Sequence, residues 1–181
     1  MDMYRYKWTQ LQASIFRFLC IKAGTSLNLR GISRSIKKTP TAISNALNDL
    51  KKEGLIKVEK SKEINLLSIQ LNRDNPKAIE LKRVENLRLI YESELVGFLR
   101  EGFPGSTIIL FGSYSKGDDT TSSDIDIAII GVKEKENDLA KFNKILERTI
   151  TINFYSSFKS IHKNLLDNIL TGILLSGGVE L

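Results

Sequence analysis

Apolar residues in the first third of the chain recur at the helical period. Leu11, Ile15, Phe18 and Leu19 predict a helix over 9–22, with Thr9 as its cap and Gly24 just past its end. Leu29, Ile32 and Ile36 predict a second, shorter helix that Asn28 can cap. Thr39-Pro40 opens a third, since proline at the first helical position gives up an N–H that had no partner there. This helix is expected from Pro40 to about Glu53, with Ile43, Leu47 and Leu50 facing inward and Gly54 stopping it. Two strand-like stretches follow, Leu55–Glu59 and Ile64–Leu71, joined by Lys60-Ser61-Lys62-Glu63. They read as a hairpin.

A polar stretch with Pro76 over 72–78 marks a boundary. A long helix is expected from Lys77 to about Arg100, lined by Ile79, Val84, Leu87, Ile90, Tyr91, Leu95 and Leu99. Ile108–Phe111 is a strand of the buried type, cut short by Gly112-Ser113. A polar loop, Tyr114 to Ser123, leads to a second strand, Asp124–Ile130. Thr149–Tyr155 predicts a further strand, and Leu165, Leu166, Ile169 and Leu170 line a late helix. The pattern divides the chain into residues 1–75, a connecting helix over 76–104, and a mixed α/β part over 105–181. The fold class is α+β.

Charge sharpens this division. Of the net +6, residues 1–76 hold 14 Lys+Arg against 6 Asp+Glu, a net of +8. Residues 77–181 hold 13 against 15, a net of −2. A basic half is the electrostatic footprint of a polyanion partner. Between Tyr4 and Leu50 the only acidic residue is Asp49. The outer side of the third helix carries Thr41, Ser44, Asn45 and Asn48, followed by Lys51 and Lys52. Small hydroxyl and amide side chains suit base edges and phosphates in a major groove. Lys57, Lys60 and Lys62 on the hairpin suit the DNA backbone and give salt-dependent affinity. Three helices and a basic hairpin make a winged helix-turn-helix. The run TAISNALNDLKKEGLIKVEK resembles winged-helix transcription regulators. DNA is therefore the partner expected for residues 1–75.

The second half carries different chemistry. Asp124 and Asp126 lie two apart on a strand, so both carboxylates share one face. Two anions so close are costly unless a cation lies between them. Hard divalent ions take carboxylate oxygens together with phosphates. Gly112 lets backbone approach a phosphate with no Cβ in the way, and the Ser113 hydroxyl can hold that phosphate. The pattern GSYSKG followed by SDIDI resembles the nucleotidyltransferase superfamily that includes polymerase beta, and within it the minimal nucleotidyltransferases.

The resemblance covers about residues 105 to 181. It implies Asp124 and Asp126 as catalytic metal ligands for Mg²⁺ or Mn²⁺. It implies Gly112, Ser113, Lys116 and Ser123 as contacts of a nucleoside triphosphate. Members of the family transfer a nucleoside monophosphate to a hydroxyl and draw a third carboxylate from a later strand. That strand here, Thr149–Tyr155, has no Asp or Glu. Asn153, with Thr151 as the less favoured choice, stands in the expected place as a third metal ligand. An amide can ligate but cannot act as a base. Glu147, before the strand, and Asp118 and Asp119, in the polar loop, are the other acids within reach by sequence.

Two readings follow. The first is a DNA-binding regulator carrying a nucleotidyltransferase-fold domain that binds NTP and divalent metal. The second is an active transferase that modifies a hydroxyl of a partner protein, as in toxin–antitoxin pairs. A partner protein or a second copy of the chain joins DNA and NTP as the expected partners. The remaining composition narrows the field. The single cysteine, Cys20, excludes an internal disulfide, and the single histidine, His162, excludes a multi-histidine metal site. No membrane-length apolar run and no apolar leader stand out, so the expected location is cytoplasmic, without a membrane partner.

Overall fold

The computed structural model describes residues 8–60 and 67–180. The chain forms two compact units that divide between Lys82 and Arg83. Among the described residues no helix is long and apolar enough to cross a membrane.

In the first unit the caps act where the sequence puts them. The first helix, α1, spans Gln10–Ile21. Thr9 Oγ1 accepts from the Gln12 N–H at 3.2 Å, and Gln12 Oε1 accepts from the Thr9 N–H at 2.7 Å, a reciprocal capping box. The second helix, α2, spans Leu29–Ile36, and its cap Asn28 accepts from the Gly31 N–H at 2.7 Å. The third, α3, spans Pro40–Lys52 behind the Thr39 cap. Strands β1 (Ile56–Lys60) and β2 (Leu67–Leu71) pair antiparallel. A bridge between Leu27 and Ile69 ties the α1–α2 connection to the hairpin, with both N–H···O bonds made. Ile15, Phe16, Leu19, Ile32, Ile43, Leu50, Leu55 and Ile69 are fully buried in one core. This is the winged-helix arrangement that the pattern predicts.

Helix α4 spans Pro76–Glu92. The single long helix expected to reach Arg100 is broken here. Glu94 adopts a left-handed φ of 65°, Ser93 Oγ donates to the Ile90 carbonyl at 2.9 Å, and a separate helix, α5, runs Leu95–Gly102. Apolar spacing continues across the break, because both segments bury residues in the same core: Ile90 from α4, Leu95 and Leu99 from α5.

The second unit is built on a four-stranded mixed sheet. Strand β3 (Thr107–Phe111) is followed by a five-residue helix, α6 (Gly112–Lys116), where the sequence predicts a loop. Gly112 turns the chain at φ 73° and the Ser115 hydroxyl donates back to the Gly112 carbonyl, which closes the turn. Strand β4 (Ile125–Ile130) pairs antiparallel with β3. Helix α7 (Ala140–Leu146) crosses over to β5 (Ile150–Tyr155), which lies parallel to β4. Helix α8 (Lys163–Leu170) precedes β6 (Ile173–Ser176), which pairs antiparallel with the other side of β3. The strand order is β5-β4-β3-β6.

Ile125, Ile127 and Ile129 face the core shared with α5 and α7. Each such side chain stabilises by about 1.5–3 kcal/mol. Ala128 and Ile130 face a second cluster with Phe158 and Ile169. Gly172 admits the crossing from α8 into β6, since a Cβ there would collide with the Leu110 carbonyl oxygen.

A polar cluster is buried beside the sheet. Asp119, expected in a mobile polar loop, is fully buried instead. It accepts from Asn86 Nδ2 at 2.6 Å and pairs with Arg148 Nη2 at 3.4 Å. Asn86 also donates to the Tyr114 carbonyl at 2.9 Å, and Arg148 to the Glu147 carbonyl at 2.9 Å. The segment after α6 is thereby fastened to α4 and to the head of β5. Removing one partner of a buried ion pair leaves the other charge desolvated. Asp119→Ala is expected to destabilise the second unit by about 3–5 kcal/mol. The shift of the urea unfolding midpoint, followed by circular dichroism, measures it.

Candidate functional site

The paired acids and the glycine-serine corner meet at one end of the sheet. In the β3/β4 register Asp126 lies opposite Phe111, the residue before Gly112. A Cβ built on Gly112 would lie 2.5 Å from Asp126 Oδ2 and 3.3 Å from its Cγ. The carboxylate therefore occupies the space that any other residue at 112 would fill. Asp124, just ahead of β4, is exposed and close enough for its charge to act on Asp126. Burial pushes the Asp126 carboxyl above the ordinary carboxylate range, and the neighbouring Asp124 charge pushes it the same way.

The other residues of this corner differ in how committed they are. Ser113 is half-buried. Lys116 is exposed and donates to Asn168 Oδ1 on α8 at 3.1 Å. Ser123 Oγ accepts from the Thr120 N–H at 3.0 Å, so its hydroxyl helps to shape the turn ahead of Asp124. On β5, Thr151 lies opposite Asp126 and Asn153 lies opposite Ala128, one pleat further along the same face. Both are half-buried. Glu147 caps α7 in a left-handed conformation and is exposed. It lines a polar hollow of about 440 Å³ together with Asp124, Ser122, Ser123, Asn143 and Thr149.

Asp124 and Asp126 are the groups here that could hold a divalent cation. They offer two carboxylates, one of them with its proton affinity raised by its surroundings, beside a glycine cradle. Among the described residues no group of three or more His, Cys, Asp or Glu converges on a metal position.

The second candidate surface is the outer side of α3. Thr41, Asn45 and Asn48 are exposed there and Ser44 is half-exposed. Lys51 and Lys52 occupy the last turn, both exposed. Asp49, the lone acid of this stretch, accepts from Gln12 Nε2 at 2.8 Å and lies 3.7 Å from Lys52. On the hairpin, Lys60 is exposed, whereas Lys57 is paired with Asp74. The hydrogen bond from Lys57 holds the Asp74 carboxyl below its ordinary value. Lys62 lies outside the described residues.

The sequence pattern passed over four cations. Arg30 and Arg34, one turn apart on α2, and Lys37 and Lys38 after it are all exposed. Arg30 and Arg34 border a cleft of about 730 Å³ with Asn28, Gly31, Pro40 and Leu67. The legible signal was the four-residue spacing of the two arginines on a short helix ahead of Thr39-Pro40.

Residues 92–171 match the family model described as nucleotidyltransferase domain. That stretch contains Gly112, Ser113, Asp124, Asp126, Thr151 and Asn153. No curated protein matches the chain. Among solved structures, Lactococcus lactis ZitR, a zinc-responsive MarR family member, is similar at 22% identity and a TM-score of 0.40, over 56% of this chain and 66% of that one. A mutant MepR from a multidrug-resistant S. aureus clinical isolate is similar at 21% identity and a TM-score of 0.37, over 42% of this chain and 56% of that one. This chain thus spans less than two thirds of either of those two chains. S. aureus MepR in its DNA complex is similar at 18% identity and a TM-score of 0.39, over 52% of this chain and 77% of that one.

The raised Asp126 carboxyl has a consequence for stability. The native state holds this proton more tightly than the unfolded chain does. Its contribution therefore declines as pH rises from the ordinary value of 3.8 through the raised native one. Asp126→Asn removes that decline. Its unfolding free energy, from urea titrations between acid and neutral pH, is expected to fall less with rising pH than that of the wild type. Parallel profiles would mean that the carboxylate is not under strain.

Proposed function

We propose that this protein is a DNA-binding regulator whose second unit holds a nucleoside triphosphate with a divalent cation. The observation that carries the nucleotide half is the seating of the Asp126 carboxylate against Gly112, with Asp124 beside it. Gly112 and Ser113 form the corner against which a phosphate can lie. Lys116 supplies a positive charge near it. A Mg²⁺ or Mn²⁺ ion bound by Asp124 and Asp126 would neutralise their repulsion and polarise a phosphoryl oxygen.

Catalysis asks for more than binding. A hydroxyl acceptor needs a base, and the strand beside Asp126 offers Thr151 and Asn153, which cannot take a proton at neutral pH. This deficit favours the reading as a nucleotide-sensing regulator. The intact Gly-Ser corner and acid pair favour the second reading, a transferase that moves a nucleoside monophosphate to a partner protein's hydroxyl. Labelled ATP with Mn²⁺ and cell extract separates them. The regulator reading expects saturable, metal-dependent ATP binding that Asp124→Ala/Asp126→Ala abolishes, and no transfer of label. Transfer that disappears in the double variant would establish the enzyme instead.

DNA binding rests on the net +8 of the first 76 residues, the polar outer side of α3 and the exposed cations on α2. Arg30, Arg34, Lys51 and Lys52 reach phosphates, while Thr41, Ser44, Asn45 and Asn48 reach base edges. Lys60 and Lys62 add backbone contacts, and Lys57, held by Asp74, adds less. Lys51→Ala/Lys52→Ala and Arg30→Ala/Arg34→Ala are each expected to lower affinity and to reduce the slope of log affinity against log salt by about 2. Fluorescence anisotropy with duplex DNA at several salt concentrations measures both. A wild type with no salt-sensitive binding would overturn the DNA reading.

A further inference from the structure

The sheet of the second unit has two outer strands, β5 and β6, and they are finished differently. Strand β6 has four residues, carries a bulge in its pairing with β3, and gives its Leu175 carbonyl to Arg100 Nη2 at 2.6 Å. Short, bulged and covered edges are how proteins keep foreign strands from pairing. Strand β5 has six residues and a regular register with β4. The Ile125 N–H donates to the Thr149 carbonyl and the Gly131 N–H to the Tyr155 carbonyl, so the odd-numbered residues of β5 face β4. The N–H and C=O groups of Ile150, Ile152 and Phe154 therefore point the other way. Asn143 Oδ1 accepts from the Ile150 N–H at 3.0 Å, a side chain standing where a strand would be. Beyond it, among the described residues, no strand pairs with Ile152 or Phe154 on that side.

A groove runs beside this bare edge. It holds about 540 Å³ between β5 and the segment that leads into α7, and Glu134, Lys135, Glu136, Leu139, Ile152 and Phe154 line it. Ile152 and Phe154, both half-buried, form the apolar floor, and the Phe154 ring is set against Phe103 with centroids 5.3 Å apart. Glu134 and Glu136 are exposed on the wall, and neither forms an ion pair among the described residues. Asp138 adds a third acid, its carboxylate accepting from the Ala140 N–H at 3.0 Å, so Lys135 leaves the wall acidic. We propose that β5 takes up an extended, basic segment of another protein as a further strand of the sheet. Its backbone bonds to Ile152 and Phe154, its alternate apolar side chains lie on the floor, and Lys or Arg meets Glu134 and Glu136. The bare row of peptide groups calls for an extended chain, the floor for an apolar residue at every second position, and the wall for positive charge. A second copy docking β5 on β5 would bring two acidic walls together, which like charges oppose. The proposal depends on neither the DNA nor the nucleotide reading.

Fluorescence anisotropy of a labelled heptapeptide, KTVTVTK, with the full chain tests it. That sequence reads the same in both directions and sets its lysines and valines on one face. Wild type is expected to bind it saturably. The peptide ETVTVTE is expected to bind at least tenfold more weakly, and Glu134→Lys/Glu136→Lys to reverse that preference. Methylating KTVTVTK on alternate amide nitrogens leaves the protein untouched and reads the backbone contact. One alternate set is expected to abolish binding and the other to be tolerated, because only every second N–H faces β5. A wild type that does not bind KTVTVTK overturns the proposal. So does equal binding of the two peptides, a charge-reversed variant that keeps the wild-type preference, or two methylated sets that behave alike. Self-association of the chain that expels the peptide would assign the edge to a second copy, and overturns it as well.

Discussion

The second unit depends on one close approach, that of the Asp126 carboxylate to the bare Cα of Gly112. The antiparallel register of β3 and β4 fixes it by setting Phe111 opposite Asp126. Shifting that register by one residue would turn every β4 side chain over. The isoleucines that fill one core would then face the other way, and the acid would leave the glycine. The packing of Ile125, Ile127 and Ile129 therefore holds the site's geometry as firmly as any contact within the site. The left-handed turn at Gly112 gives the same position a second reason to be glycine.

Two acids seven residues apart meet opposite fates. Asp119 is buried whole, paired with the Arg148 cation and hydrogen-bonded by Asn86. Asp126 is only partly covered, and the charge that acts on it is another acid, Asp124. A chain that can bury a carboxylate with a cation, and here sets two anions side by side, has left negative charge concentrated at the sheet end. The buried cluster adds to this by fastening the start of the segment that leads to Asp124. It joins Tyr114 on α6, Asp119 after it and Arg148 at the head of β5.

Much of this was legible in the chain. Thr9, Asn28 and Thr39 announced three helix starts because a capping side chain and its N–H partner are only a few residues apart. The Asp-Ile-Asp run likewise announced that Asp124 and Asp126 would lie near each other. What could not be read depended on distant partners. Nothing near Asp119 in sequence shows that Asn86 and Arg148 will enclose it. The break at Glu94 was masked because apolar spacing runs on through it, and its cause is one left-handed residue. The register of β5 was likewise invisible. The strand could be recognised from Thr149 to Tyr155, but only pairing with β4 sets Thr151 opposite Asp126 and Asn153 one step beyond. Arg30 and Arg34 were present in the net charge without being distinguished by it.

The position of β6 has a consequence for how the second unit forms. β3 is made early, yet it lies inside the sheet, with β4 on one side and β6 on the other. Its second neighbour arrives only after α7, β5 and α8 have been synthesised. Until Ile173–Ser176 are in place, one side of β3 keeps unpaired N–H and C=O groups beside the buried isoleucines. Closing that edge is a long-range step, the kind that slows folding. During synthesis the strand bearing Phe111 and Gly112 therefore remains open to wrong pairing until that final strand docks.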